Sequence, residues 1–207
     1  MKKLFAVVVA AWLILPCLAS AQQPGKFAYT ELKPVQPTES GNKVEVLEFF
    51  WYGCPHCYNL EPLIEGWTKK LPADVQLRRV PAILSERWEY DAAIFYTFDA
   101  MNLLGKLHRP FFDAIHRDAL RTDNQQALAQ WLQNNGVDAN RFFDTMKSMG
   151  VDAKVRRAAQ LTLAYRINGT PAMAVQGRYT VSAEQARSHQ GMIETADYLV
   201  DISRKQK

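Results

Sequence analysis

Two cysteines separated by two residues are the part of this sequence with the clearest chemical meaning. The segment Cys54-Pro55-His56-Cys57 follows an apolar run at 44–50 and precedes residues with helical periodicity. Proline is favoured at the first position of a helix, so Cys54 is expected at the N-cap, close to unpaired backbone N–H groups. These donors and the positive end of the helix dipole favour a thiolate, so we expect the pKa of Cys54 well below about 8.5.

A low pKa of Cys54 sets the direction of the redox chemistry. Because it stabilises the thiolate, it stabilises the reduced protein and makes the Cys54–Cys57 disulfide a stronger oxidant. A pKa of about 4.5 instead of about 8.5 corresponds to roughly 70 mV at pH 7 for a two-electron couple. Cys57 is expected to be an ordinary buried thiol, one turn into the helix. His56 is expected to tune the thiolate by a hydrogen bond or a positive charge, the alternative being a solvated histidine without a role.

Other uses of a cysteine pair fit this sequence less well. A covalent haem site needs a histidine directly after the second cysteine, where this chain has Tyr58. A zinc site needs about four ligands, and the histidines are not paired at zinc-finger spacing. A structural disulfide closing so small a loop would constrain the unfolded chain little. Beyond His56, the remaining histidines are expected at surface or packing positions: His108, His116 and His189.

The residues around the motif predict a β-α-β unit. The run at 44–50 is apolar on both alternating faces apart from its acids, which is typical of a strand buried on both sides of a sheet. After Cys57, apolar residues at helical spacing predict an amphipathic helix with a kink at Pro62. A second strand is predicted at 75–80, and an edge strand at 27–32.

The middle of the chain predicts helices only. Apolar and aromatic residues recur at helical spacing between about 84 and 149, and these aromatic side chains are expected in a core. A further helix is predicted at 152–166 with Asp152 as its cap. It is followed by a hairpin with strands at 172–175 and 178–181, and by a final amphipathic helix at 192–203.

Two acidic residues are candidates for proton transfer. Glu48 lies in the middle of the buried strand, so its pKa should be raised, which suits a relay that takes the proton from Cys57. The alternative is a buried carboxylate paired with Arg78 or Arg79. Glu61, one turn beyond Cys57, is a second candidate, and its alternative is an exposed acid on the helix surface.

Composition and the N-terminus indicate an exported protein. The chain has 207 residues with 48% hydrophobic letters and three cysteines, which excludes a disordered tail, a collagen-like repeat and a small disulfide-stapled domain. Residues 1–21 read as a cleaved signal peptide that carries Cys17 away with it. Without Lys2 and Lys3, the remaining basic residues nearly balance the 21 acids, so nucleic acid and anionic membranes are not expected partners.

Four segments, two of which contain residues discussed above, carry a resemblance to a known family. They are Val46-Leu47-Glu48-Phe49-Phe50, Gly53-Cys54-Pro55-His56-Cys57-Tyr58, Thr170-Pro171-Ala172-Met173 and Gly177-Arg178-Tyr179. Together they resemble the DsbA family of periplasmic thiol:disulfide oxidoreductases. The resemblance implies an α/β structure, a thioredoxin fold with an inserted all-helical domain. The thioredoxin-like part would comprise 22–83 and 150–207, and the insertion 84–149.

The resemblance also implies roles for individual residues. Cys54 would be the nucleophile and Cys57 its buried partner, with Pro55 and His56 tuning the pair. Pro171 would be a cis proline facing the disulfide, although most X–Pro bonds are trans. The Thr170 backbone would then pair with an extended substrate and its hydroxyl would contact the Cys54 sulfur.

The implied activity is that of a monomeric periplasmic dithiol oxidase. It would donate its disulfide to newly exported polypeptides with free thiols and be reoxidised by a quinone-linked, DsbB-type membrane partner. No flavin, haem, nicotinamide or metal motif is visible, so the cysteine pair is the only redox group expected. A reductase or isomerase of the same fold is one alternative, and a non-enzymatic chaperone or metal carrier is another.

Overall fold

The computed structural model describes residues 27–206. The predicted signal peptide and Cys17 lie outside these residues. Within them, five strands and seven helices follow one another in the order β1 Thr30–Glu31, β2 Val44–Phe50, α1 Pro55–Thr68, β3 Val75–Pro81, α2 Glu86–Ala100, α3 Leu104–His116, α4 Gln125–Asn134, α5 Ala139–Met146, α6 Met149–Ala164, β4 Ala172–Val175, β5 Tyr179–Ser182 and α7 His189–Arg204.

The strands form one mixed sheet in the order β1-β5-β4-β2-β3. Strand β2 is parallel to β3 and antiparallel to β4, so it is hydrogen-bonded on both edges, as its apolar sequence predicts. The register places Glu48 of β2 directly beside Arg79 of β3. This alignment puts a buried acid next to a basic residue close to the end of β2 that leads into the cysteine motif.

Each face of the sheet is covered by helices. Val44 and Val46 point to the face packed by α1 and α7, where Ile64 and Leu199 are buried. Leu47 and Phe49 point to the opposite face and pack with residues of α6. Because side chains alternate along a strand, Glu48 shares the α1 face with Val46 and Phe50. The predicted β-α-β unit therefore carries the cysteine motif over the face that buries Glu48.

Helices α2 to α5 enclose an aromatic core of their own, as their periodicity predicts. It includes Phe98, Phe111, Phe112 and Phe142, all fully buried. Phe50, Tyr52 and both cysteines belong to the same cluster. The helical segment is thus packed directly against the cysteine motif. Within residues 27–206, none of the helices combines the length and apolar character needed to cross a bilayer.

Several element boundaries differ from the sequence-based expectations. Helix α6 begins at Met149 with Ser148 as its N-cap, whose hydroxyl accepts a hydrogen bond from the Val151 N–H. Asp152 lies in the first turn, where a carboxylate interacts favourably with the helix dipole without being the cap. Helix α7 begins three residues before the predicted start, because Ser188 provides the cap. The predicted edge strand is reduced to Thr30–Glu31.

A glycine in the β4–β5 turn offers a test of this packing. Gly177 has a φ of +65°, and a Cβ added there would lie 1.9 Å from the Gln36 carbonyl oxygen. We expect Gly177→Ala to lower the free energy of unfolding by about 1–3 kcal/mol, because both the clash and the left-handed backbone disfavour a side chain. Chemical denaturation of the two proteins measures the difference.

Gly66 provides the matched control. It lies within α1, and a Cβ added there meets no atom within 4 Å. Gly66→Ala is expected to raise the free energy of unfolding by up to about 1 kcal/mol, since alanine is the better helix former. Equal stability changes in the two variants would contradict the packing described for the turn.

Candidate active site

Cys54 occupies the N-cap of α1, as the sequence predicts. Its backbone is extended, with φ −87° and ψ 115°, and Pro55 follows as the first helical residue. The Cys54 sulfur accepts a hydrogen bond from the Cys57 N–H at 3.3 Å. The Cys54 N–H in turn donates to the Trp51 carbonyl at 3.0 Å, which closes the turn between β2 and α1. The reactive sulfur is therefore held by the helix end itself.

Hydrogen bonding lowers the pKa of Cys54 to about 5. The hydrogen bond from the Cys57 side chain contributes most, and burial of Cys54 works against it. The Thr170 side chain and the backbone N–H groups of Cys57 and His56 lower the pKa further. The predicted direction is thus confirmed, but the largest donor is the partner thiol, which the helix-dipole argument did not include.

Cys57 is fully buried and has the opposite character. Burial raises the pKa of the Cys57 thiol well above its ordinary value, and the neighbouring Cys54 sulfur raises it further. Both cysteines are free thiols, so the structure represents the reduced protein. One sulfur of the pair is ionised at neutral pH and the other holds its proton. Cys57 is thus the proton donor and Cys54 the proton acceptor of the pair.

Thr170 and Pro171 face Cys54 from the loop before β4. The Thr170–Pro171 peptide bond is cis, which confirms the expectation drawn from the resemblance. The Thr170 carbonyl lies 3.4 Å from the Cys54 sulfur. A carbonyl only accepts hydrogen bonds, so this contact belongs to the protonated thiol, whereas the Thr170 side chain stabilises the thiolate.

The rim of the site contains two histidines. His56 is exposed, and its ring centroid lies 6.2 Å from that of His189 at the start of α7. Burial lowers the pKa of His189, and the charge of His56 lowers it further. Sequence reasoning placed His189 among surface or packing residues and did not bring it to the site, because the pairing joins helices far apart in the chain.

A groove of about 740 Å³ extends from this rim past the cis proline. Its lining combines polar loop residues with the start of α7: His56, Asn168, Thr170, Pro171, Arg187 and His189. The groove is open to solvent, and its lining includes Thr170, whose carbonyl contacts the Cys54 sulfur. It is large enough for side chains of an extended peptide.

Glu48 is buried without solvent exposure and paired with Arg79. Its carboxylate lies 3.1 Å from the Arg79 Nε, so the predicted pairing alternative is confirmed for Arg79. Arg78 instead pairs with Glu39 and Glu45. Burial raises the pKa of Glu48 to about 8, with Arg79 opposing and Glu61 adding to the shift. The raised pKa predicted for Glu48 is thus also confirmed, and its role as a relay stays a prediction.

Glu61 is fully buried, so the alternative of an exposed helix acid was wrong. It accepts a hydrogen bond from Arg79 at 3.1 Å and is 3.1 Å from the Nε2 of His108. Burial favours a raised pKa, but these partners hold the pKa of Glu61 below its ordinary value. Helix α1 turns this acid toward the Arg79 side chain, because Glu61 follows Cys57 by one helical turn.

His108 was expected at a surface or packing position, and the surface alternative is wrong. It is buried, and its Nδ1 lies 2.9 Å from the Tyr52 hydroxyl. Its spacing from Leu104, Phe111 and Phe112 places it on the apolar stripe of α3, which was the available sequence signal. A polar residue on such a stripe needs a buried partner, and Glu61 supplies it.

The helical segment contacts the motif at further points. The Trp51 ring stacks on Trp88 of α2 at 4.5 Å, and a Cβ on Gly53 would lie 2.3 Å from the Trp51 ring. His116 stacks on Tyr58 at 4.8 Å and is hydrogen-bonded to the Tyr52 carbonyl at 2.8 Å. Sequence reasoning missed the contacts of Trp88 and His116, because each joins an insertion residue to the motif.

The known proteins to which this chain is similar are named thiol:disulfide interchange proteins. The sequence profile of the DSBA-like thioredoxin domain matches residues 64–192. The thiol:disulfide interchange protein DsbA of Azotobacter vinelandii is 39% identical over 176 residues, which make up 85% of this chain and 82% of that protein. The protein of the same name from Pseudomonas aeruginosa PAO1 is 36% identical over 176 residues, 85% of this chain and 83% of its own length.

Solved structures that resemble this chain are also DsbA proteins. The crystal structure of Pseudomonas aeruginosa DsbA has a TM-score of 0.82 and 35% sequence identity, and the match covers 87% of this chain and 94% of that one. Reduced DsbA1 from Neisseria meningitidis has a TM-score of 0.74 and 28% identity, covering 86% and 94%. These matches confirm the predicted fold class, a thioredoxin fold with a helical insertion. The boundaries at 84 and 149 stay predictions.

The hydrogen bond from Thr170 predicts a measurable shift. Thr170→Val keeps the side-chain shape and removes the hydroxyl, so the pKa of Cys54 should rise above about 5 by up to about one unit. Ultraviolet absorbance of the thiolate, followed against pH in the reduced protein, measures the midpoint. Thr180→Val, in the strand beside β4, is the control and should leave the midpoint in place. A wild-type midpoint near that of free cysteine would refute the assignment.

Proposed function

This chain belongs to the DsbA family of thiol:disulfide oxidoreductases, and from that premise we propose how its residues carry out the reaction. The protein is an oxidase that donates the Cys54–Cys57 disulfide to protein thiols. The observation that carries the residue assignment is the position of Cys54 at the N-cap of α1, where hydrogen bonds lower its pKa to about 5.

The reaction proceeds in two exchanges. A substrate thiolate attacks the Cys54 sulfur, a mixed disulfide forms, and the Cys54–Cys57 bond breaks with Cys57 leaving as a thiolate that takes up a proton. A second substrate thiolate then attacks the substrate sulfur of the mixed disulfide and releases Cys54 as a thiolate. The substrate gains a disulfide, and the protein gains two electrons. Cys54 is the better leaving group because its thiolate is stabilised.

Glu48 supplies the proton that Cys57 needs in the first exchange. A carboxyl group with a pKa of about 8 is protonated at neutral pH, so it acts as a donor to the leaving thiolate and accepts the proton back when Cys57 attacks. Apart from its Arg79 ion pair, neither Glu48 oxygen has a hydrogen-bond partner among residues 27–206.

The site is shaped for an extended substrate. The groove lined by Thr170 and Pro171 forms one side, and His56 and His189 form the rim. The substrates are newly exported polypeptides with free thiols. Removal of residues 1–21 would release the protein into the periplasm, where a quinone-linked, DsbB-type membrane partner reoxidises it. It works as a monomer, and the Cys54–Cys57 pair is the redox group that takes part in the reaction.

The oxidase assignment is tested with Cys54→Ser. This variant should lose the ability to oxidise a reduced, unfolded protein, because the electrophilic sulfur is gone. Cys57→Ser, offered glutathione disulfide or a disulfide-bonded peptide, should keep the mixed disulfide that Cys54 forms by attacking that disulfide, because no second thiol is present to displace it. The wild-type pair, equilibrated with glutathione at pH 7, should be about 60 mV more oxidising than a pair with an ordinary Cys54, given its pKa of about 5.

A potential close to that of thioredoxin would favour the reductase alternative. Undiminished oxidation by Cys54→Ser would show that the oxidation does not come from the Cys54–Cys57 pair. A non-enzymatic chaperone or metal carrier would then be the remaining alternative. Together the two measurements separate the three functions, since the potential distinguishes oxidase from reductase and the variant distinguishes enzyme from binding protein.

Replacing Glu48 by glutamine should slow disulfide donation at pH 7 by about tenfold or more, because glutamine cannot release a proton. The donor form of Glu48 is present below a pKa of about 8 and is lost as the pH rises through that value. The ratio of wild-type to Glu48→Gln rates should therefore fall toward one above pH 8. Stopped-flow fluorescence with a reduced peptide measures both rates.

Glu45 offers the matched control for this experiment. It is a buried acid of the same strand, but it points to the opposite face and pairs with Arg78. Glu45→Gln should leave the rate ratio and its pH dependence unchanged. A Glu48→Gln protein with wild-type rates across this pH range would exclude Glu48 as the proton donor.

A further inference from the structure

A buried histidine of the helical insertion contacts the ion pairs behind the cysteines, and the reaction as described assigns it no role. His108 is 6% exposed, with its Nε2 3.1 Å from a Glu61 oxygen and its Nδ1 2.9 Å from the Tyr52 hydroxyl. Both ring nitrogens are therefore engaged. Aromatic rings surround the imidazole at centroid distances of 5.3 to 5.8 Å: Phe50, Phe95 and Phe112.

These two contacts determine the tautomer of His108. An ionised Glu61 only accepts hydrogen bonds, so Nε2 carries the hydrogen and donates it. Nδ1 is then the acceptor for the Tyr52 hydroxyl, which remains a donor because burial raises the pKa of Tyr52. Burial also lowers the pKa of His108, which keeps the ring neutral. Tyr52, His108 and Glu61 thus form a directed chain of donors that ends at the carboxylate.

The two buried carboxyl groups differ in the donors they receive. One oxygen of Glu61 lies 3.1 Å from His108, and the other accepts a hydrogen bond from Arg79 at 3.1 Å. Among residues 27–206, the one polar contact that the structure shows for the Glu48 carboxyl group is with the Arg79 Nε, at 3.1 Å. A single guanidinium balances one negative charge, and two adjacent buried carboxylates are costly. The charge therefore belongs on the group with more donors, which is Glu61.

We propose that His108 is a positioning residue that, by donating a hydrogen bond to Glu61, fixes the negative charge there and keeps the shared proton on Glu48. One part of this proposal rests on the proposed function, namely that the proton held on Glu48 is the one that Cys57 takes up. Charged and titratable groups face the ring from every polar side: Glu61 and Glu65 from α1, Arg79 from β3 and Tyr52 from the β2–α1 turn. Arg79 and His108 also line a cavity of about 570 Å³ between insertion and sheet, which gives the network contact with solvent.

Carboxyl carbon NMR of the reduced, full-length protein tests the assignment, because it follows Glu48 and Glu61 separately. In the wild type, Glu48 should titrate near pH 8 and Glu61 should remain ionised at neutral pH. In His108→Phe, the ring shape is retained and the donor is lost. The midpoint of Glu48 should then fall by about one pH unit or more and that of Glu61 should rise, as Arg79 redirects its charge.

Two variants separate this role from a packing role. His108→Gln places an amide N–H close to the position of Nε2 and should restore the wild-type midpoints. His116→Phe changes a histidine of the same helix that has no contact with either carboxyl group and should leave both midpoints unchanged. Unchanged midpoints in a folded His108→Phe protein would overturn the proposal, and so would a glutamine variant that behaves like phenylalanine.

A measurement on the unaltered protein covers the case in which His108→Phe does not fold. Nitrogen NMR of the His108 ring should show hydrogen on Nε2 and none on Nδ1 at neutral pH. The opposite tautomer or a doubly protonated ring would overturn the proposal. None of these readouts needs turnover, so a Glu48→Gln protein of full activity would refute the role of Glu48 in catalysis and leave the assignment of His108 standing.

Discussion

The ionised sulfur of Cys54 is the interaction on which the remainder of the site depends. Its donors come from three places: the Cys57 side chain, the Thr170 side chain and the backbone at the start of α1. The largest of them disappears when the two sulfurs join, because Cys57 then has no hydrogen to give. Oxidation therefore removes the stabilisation of the thiolate together with the thiolate itself, which favours the reduced pair. In the proposed reaction, Glu48 would hold the proton that Cys57 takes up when it leaves.

The sequence predicted the features that depend on neighbouring residues. Pro55 after Cys54 identified the N-cap, and the apolar run around Glu48 identified a buried strand with a raised carboxyl pKa. Local pattern did less well at helix starts, where Ser148 competed with Asp152 as the cap of α6. Both residue types cap helices, and only the backbone decides between them.

The sequence offered Arg78 or Arg79 as a partner of Glu48, but it did not decide between them and did not predict the pairing of Arg79 with Glu61. Arg79 as partner of both Glu48 and Glu61 follows from strand register combined with the rotation of α1, and neither is fixed by composition. The cis state of Pro171 came from family resemblance, since local physics favours trans. The contact of His108 in α3 with Glu61 could not be predicted, because histidine is common on protein surfaces. His108 differs from a surface histidine only in being buried beside an acid.

Contact between the motif and the insertion limits how the two can change. The indole of Trp51 lies over Gly53 and against Trp88, leaving no room for a side chain directly before the reactive sulfur. A related protein with a larger residue in place of Gly53 must move the Trp51 indole away from α2. The stacking of Trp51 on Trp88 is then lost. Glycine before the cysteine and tryptophan in the insertion should therefore be inherited as a unit, although 34 residues separate them in the chain.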